Sequence, residues 1–134
     1  MGAWNYMVFD DDTAYDVLND LRETQTIIAD MKKYFQEIIG VEYVGYDEGH
    51  YALVSAAVID SVINDVDYRC DEEGYLEWTK SLKEFDFIQL KPIAVRAIEV
   101  VLSDNSELNE LWSENKELYE SWRKDKLDIK DRLK

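Results

Sequence analysis

The chain is poor in the residues that usually staple or punctuate a small protein. Its 134 residues include one cysteine, one proline, one histidine and five glycines, and 15 Lys and Arg stand against 30 Asp and Glu. A lone Cys70 excludes a disulfide framework within the chain and a zinc site built on cysteines. The shortage of bases leaves a net charge of −15. That excludes DNA or RNA as a direct ligand, because phosphate binding draws on clustered Lys and Arg. Long apolar runs are missing too. The longest, residues 52–59, contains Ser55 and falls far short of the ~20 residues of a membrane span, so no membrane partner is expected. The opening residues 1–10 have no cationic n-region and reach Asp10 before an apolar h-region could form, so no signal peptide is expected. Met1-Gly2 lacks the Ser or Thr at position 6 that myristoylation wants; Tyr6 stands there. An unpaired cysteine suits a reducing compartment, and the expected localisation is cytoplasmic.

What is present argues for a folded domain. Hydrophobic residues at 46% and aromatics at 13% oppose disorder despite the charge. The length suits one domain over residues 1–134, which buries about two-thirds of the surface exposed when unfolded. No internal repeat or low-complexity run divides it.

Apolar spacing predicts an all-α bundle of about six helices. Asp11 or Asp12 can cap a first helix carrying Tyr15, Val17, Leu18 and Leu21. A second spans residues 24–39, with Ile27, Ile28, Met31, Tyr34, Phe35, Ile38 and Ile39 on one stripe. Gly40, Gly45 and Gly49 punctuate the next ten residues, where a loop or a short extended segment is expected at 40–49. The third helix, residues 48–64, is apolar on nearly every side and so belongs in the middle of the domain. A fourth is expected over 72–85. Pro92, tolerable in a first turn, opens a second central, buried helix ending near Leu102. Asp104 and Glu107 have capping-box spacing before a long last stripe of Leu108, Leu111, Trp112, Leu118, Tyr119, Trp122, Ile129 and Leu133. Unbroken, its roughly 28 residues would reach about 42 Å.

The run Met1-Gly2-Ala3-Trp4, followed by Phe9-Asp10-Asp11-Asp12 and Ala14, resembles the bacterial family called domain of unknown function 4259. Two further stretches are similar to it: Ala52-Leu53 with Ala56-Ala57, and Ser106-Glu107-Leu108, Leu111-Trp112, Trp122, Leu127 and Arg132-Leu133. Asn5 and Met7 stand where the family has glycines. The resemblance implies no catalytic residue, so none is carried over.

Three constellations could carry chemistry. Asp10, Asp11 and Asp12 could hold a hard cation, although the EF-hand pattern is absent and helix capping is the simpler account. Asp47, Glu48 and His50 cluster at a helix entry, but His50 lacks the partners of a nucleophile or metal motif. Asp10, Asp12, Asp47, Glu48 and His50 are therefore only weak metal candidates, and no cofactor is implied. Arg96 and Glu99 are the charged residues of an otherwise apolar helix; a buried Arg96 would need a carboxylate such as Asp60 or Asp65.

The charge is lopsided. Residues 1–50 carry eleven acids and three bases, residues 51–103 ten and five, and residues 104–134 nine and seven, while the last fourteen hold six bases and three acids. Acidity alone serves solubility, but a one-sided field also steers a cationic protein. The expected function is a non-catalytic acidic binding protein, in its sharpest form an immunity or inhibitor protein towards a basic partner such as a nuclease toxin. Asp10, Asp11, Asp12, Tyr43, Tyr46, Asp47, Glu48, Tyr68, Asp71, Glu72 and Glu73 are the candidate contact residues. The alternatives are a metal-dependent enzyme using the Asp/Glu/His cluster and a nucleic-acid-mimicking inhibitor.

Overall fold

A helix that is apolar all round must be covered all round, and this requirement organises the molecule. A computed structural model describes residues 3–134; Met1 and Gly2, which open the Gly-Ala-Trp run and the myristoylation test, lie outside the described residues. The central helix is α3 (Tyr46–Asn64), in which every residue from 52 to 62 is buried. Around it pack α1 (Asp12–Glu23), α2 (Ile27–Ile39), α4 (Tyr75–Ser81), α5 (Lys91–Val101), α6 (Glu107–Ser113) and α7 (Tyr119–Leu133), all contributing to one apolar core. The small residues Ala52, Ala56 and Ala57 of α3 are wholly buried. The second central helix, α5, lies against α2, α3 and α7. It buries Ala94, Ala97, Ile98 and Val101 and starts with Pro92 in its first turn.

The expected all-α architecture therefore holds, with seven helices and no β-strand among the described residues. Residues 40–49 contribute a single extended contact, a parallel bridge between Val44 and Ser106. None of the helices is long and apolar enough to cross a membrane.

The differences from the sequence pattern lie at helix ends, and each has a local cause. The long C-terminal stripe is two helices. Asn115 accepts the Leu118 N–H through its side chain and the Tyr119 N–H through its carbonyl, so the chain turns there and starts again. Across the break Trp112 and Trp122 stack with centroids 5.9 Å apart. Asp104 does not cap α6. The bridge to Val44 keeps Ser106 extended (φ −128°, ψ 125°), so Ser106 is the cap and accepts the Asn109 N–H at 3.4 Å. Glu107 instead receives the Tyr46 N–H at 3.2 Å, supplying the start of α3 with a carboxylate that its own cap, Gly45, cannot provide. Helix α2 starts at Ile27 rather than residue 24, because the Thr24 and Thr26 hydroxyls both bind Asp30. Helix α4 begins only after Gly74, whose φ of +82° lies in the left-handed region, and passes into a 3₁₀ turn at Leu82–Glu84.

Helices α3 and α6 approach closely because Gly49 has no side chain: a Cβ there would sit 2.7 Å from Leu108 Cδ1. Replacing Gly49 by Leu forces the two helices apart, and urea unfolding is expected to show a loss of about 1–3 kcal/mol.

Candidate functional site

Asp11 is the N-cap of α1, its carboxylate accepting the Thr13 N–H at 2.8 Å. The same carboxylate receives the Tyr46 hydroxyl and lies 3.2 Å from His50 Nε2. Tyr46 and His50 are one turn apart on α3, so both reach the start of α1 from one side. His50 Nε2 reaches the Asp11 carboxylate outside directed hydrogen-bond geometry, and neither ring nitrogen of the buried His50 has a hydrogen-bond partner in such geometry. Burial works to raise the Asp11 pKa, but His50, the Tyr46 hydroxyl and the Thr13 N–H outweigh it and hold it at about 2.

Lys126 of α7 closes the other side of this junction. It is wholly buried, donates to the Tyr6 carbonyl at 2.6 Å and to Asp125 at 2.8 Å, and lies over the Trp122 ring. Burial pushes its ammonium below the usual lysine range, against the opposing pull of Asp125 and Asp10. The Asp10 carboxylate turns back to the Met7 N–H. Between Asp11, His50 and Lys126 remains a cavity of about 10 Å³, also lined by Ala3, Asn5, Met7, Trp112 and Trp122. That volume approaches the roughly 10–15 Å³ needed for one water. Residues carrying the family resemblance thus meet in one buried junction, which fastens the N-terminal segment to α3 and α7.

A second buried polar centre surrounds Asp60. This carboxylate, with no exposed surface, receives Arg132 Nε at 2.9 Å, Arg132 Nη2 at 2.8 Å, Asn64 Nδ2 at 2.8 Å and the Tyr68 hydroxyl. Burial, then the Asp60 hydrogen bond and charge, push the Tyr68 phenol far above its ordinary range. The partner of Asp60 is Arg132, not Arg96. Arg96 lies on the exposed edge of α5, Asp65 pairs with Lys83 at 2.7 Å, and Glu99 faces Lys130 at 3.8 Å.

The expected contact residues therefore divide. Asp10, Asp11 and Tyr68 are buried and do not form a surface, which corrects their reading as exposed positions. Tyr46 is half-buried with its hydroxyl on Asp11, and Glu72 is held by Arg22 at 3.2 Å. Asp12, Asp47, Glu48, Asp71 and Glu73 are exposed, and their carboxylates have no cationic partner among the described residues; Tyr43 is exposed as well. Among those residues, no three His, Cys, Asp or Glu side chains are arranged to hold a metal ion.

The structure adds a surface that the sequence pattern did not single out. Tyr34 of α2 and Tyr51 of α3 are half-buried with ring centroids 4.5 Å apart. Asp20 of α1 accepts the Tyr51 hydroxyl at 2.8 Å. That bond, burial and the further charge of Asp47 push the Tyr51 pKa up to about 12. Burial raises Tyr34, with Asp30, Asp20 and Glu37 adding to it. One acidic, tyrosine-centred face thus joins α1, α2 and the start of α3. Glu37 and Glu48 continue it into a groove of about 290 Å³ lined by Ile38, Val41, Tyr43 and Val44.

Both buried centres have measurable consequences. Truncating Arg132 to Ala strands the Asp60 charge, and chemical denaturation is expected to show a loss on the order of 3 kcal/mol. Asp11 has a folded pKa near 2 against an ordinary 3.8. A depressed carboxyl pKa contributes stability that is complete above about pH 4 and disappears as pH falls through about 2. The Asp11→Asn variant should therefore be less stable at pH 6 by on the order of 1–2 kcal/mol. The gap to the unsubstituted protein should close between pH 4 and 2, measured by thermal unfolding across that range.

No curated protein and no solved structure matches the chain. The family model described as Domain of unknown function (DUF4259) matches residues 2–125, a span that takes in Ala3, Asp11, His50, Trp112 and Trp122 of the N-terminal junction. The chain belongs to the DUF4259 family.

Proposed function

We propose that this chain is a non-catalytic binding protein that captures a basic protein, in its sharpest form an immunity or inhibitor protein neutralising a cationic toxin such as a nuclease. The observation that carries this reading is the unequal use of the two charge signs. The bases of α7 are engaged within the fold: Arg123 on the Leu102 carbonyl, Lys124 on Asp128, Lys126 on Tyr6 and Asp125, Lys130 on Glu99 and Arg132 on Asp60. The acids of the α1–α2–α3 face meet hydroxyls, Tyr51 on Asp20 and Thr24 and Thr26 on Asp30, and among the described residues a single cation. Lys33, the cation nearest Glu37 in an ion pair, reaches it only at 4.0 Å between two exposed side chains, a pairing that contributes little. Such a field raises the encounter rate with a cationic surface and repels acidic ones.

The tyrosines fit the same role. Tyrosine supplies rigid contact area at interfaces, and its ring face attracts arginine or lysine. Cys70 suits the cytoplasm proposed for the chain: it is half-buried, and burial pushes its thiol above the ordinary range, away from the reactive thiolate.

The immobilised chain, exposed to lysate of its own host at low salt, is expected to retain a basic protein that raised salt releases. The combined variant Asp20→Asn, Glu37→Gln, Asp47→Asn, Glu48→Gln should slow association with that protein by about 10-fold or more, with a smaller change in dissociation, read by surface plasmon resonance. Retention of no basic protein, or an association rate indifferent to these four carboxylates, overturns the proposal.

A further inference from the structure

The groove between the end of α2 and the start of α3 is built differently from the rest of the acidic face. Its walls come from Ile38 of α2 and from Val41, Tyr43 and Val44 of the connection. Val41 and Tyr43 are large apolar residues left 49% and 47% exposed. Scattered exposed apolar residues are ordinary, but these two stand two positions apart and line one concavity whose charged lining is wholly acidic. Glu37 and Glu48 both line it, and the exposed Glu42 and Asp47 are sequence neighbours of the lining. Gly45 lines it as well, with Glu48 Oε2 close against its backbone: a Cβ there would fall 2.5 Å from that oxygen.

We infer that this groove seats a short, extended basic segment of the protein partner, with an arginine or lysine stem along Val41 and Tyr43 and its charged end between Glu37 and Glu48. The inference rests on the acidic-binding role proposed above and names where the partner's anchor enters. Lysine and arginine side chains carry an apolar stem and a charged tip, which is the pattern of the lining. At about 290 Å³ the groove sits at the lower edge of the roughly 300–1,000 Å³ typical of small-molecule sites, a size suited to one or two side chains. A second copy of the chain is a poor occupant. It brings a net charge of −15 to an acidic surface, and the bases of its own C-terminal helix are already paired within the fold.

The test uses two labelled peptides, one alternating arginine with leucine and one alternating lysine with glycine, in fluorescence anisotropy at low salt. Two double variants of the full chain are compared: Val41→Ser with Tyr43→Ser in the groove, and Glu77→Gln with Glu84→Gln outside it. All four positions are exposed, and circular dichroism confirms that each variant is folded. The arginine–leucine peptide is expected to bind the unsubstituted chain more tightly than the lysine–glycine peptide. It should lose about tenfold in affinity with the groove variant and less than about threefold with the other. Equal losses in both variants overturn the groove while leaving a diffuse acidic binding role intact. Absence of binding by either peptide overturns the groove and counts against the acidic role as well. Concentration-dependent dimerisation abolished by the groove variant, seen by sedimentation, assigns the groove to a second copy and also overturns the inference.

Discussion

The burial of α3 is the constraint on which the rest of the molecule depends. Residues 52–62 leave no side of the helix to water, so every other helix is placed by the need to cover it. Amphipathic helices α1, α2 and α5 each bring one apolar stripe. The cost of such a helix is specificity: an apolar cylinder offers no reason for one covering arrangement over another. Asp60 supplies that reason. A charge in the middle of this surface must meet a cation and hydrogen-bond donors, and only the arrangement that brings Arg132, Asn64 and Tyr68 together provides them. The end of α7 is thereby fixed against α3.

The same logic acts at the other end of α3. Three helices begin or pass near Asp11, and each contributes a polar group to it or beside it: α1 its capped N–H, α3 Tyr46 and His50, α7 Lys126. Glu107 reaches across from α6 to the start of α3. Helix ends that lack a cap of their own are completed by side chains from other helices, so the termini and the packing are one problem. Ala3 and Asp11 of the N-terminal segment and the distant Trp112 and Trp122 thus line one small cavity.

Much of this was legible from spacing. The 3.6-residue periodicity placed the first five helices and the apolar stripe of the last two, and the uninterrupted apolar character of α3 placed it at the centre. What escaped depended on contacts far apart in sequence. The sequence pattern offers Asp60 or Asp65 to a buried Arg96, but Arg96 is exposed and Arg132, 72 positions from Asp60, takes that carboxylate. Lys126 stands where the C-terminal stripe, stepping from Trp122 to Ile129, calls for an apolar residue. That substitution was visible, yet its meaning required the Tyr6 carbonyl, 120 positions away. The break at Asn115 was hidden because asparagine interrupts a helix only when its side chain bonds back to the chain. Tyr34 fits a core stripe, but it is half-buried against Tyr51, whose hydroxyl Asp20 of a third helix accepts. Asp10, Asp11 and Tyr68 looked like surface residues because acids and loop tyrosines usually are.

The two charge signs therefore serve separate ends. Most bases of the C-terminal helix are engaged within the fold, whereas the exposed acids of α1, α2 and α3 meet one cation among the described residues, Lys33 on Glu37 at 4.0 Å. Like charges gathered on one face repel one another and weaken the folded state. A domain selected for stability alone would intersperse them with lysines. Here the repulsion is carried by a scaffold whose two buried ion-paired centres lie elsewhere, so the acidic face does not have to be neutral for the fold to persist. On the proposed binding role, a cationic partner relieves that repulsion as it docks and the relief adds to the attraction across the interface, an advantage that dissolved salt, which screens the same repulsion, takes away.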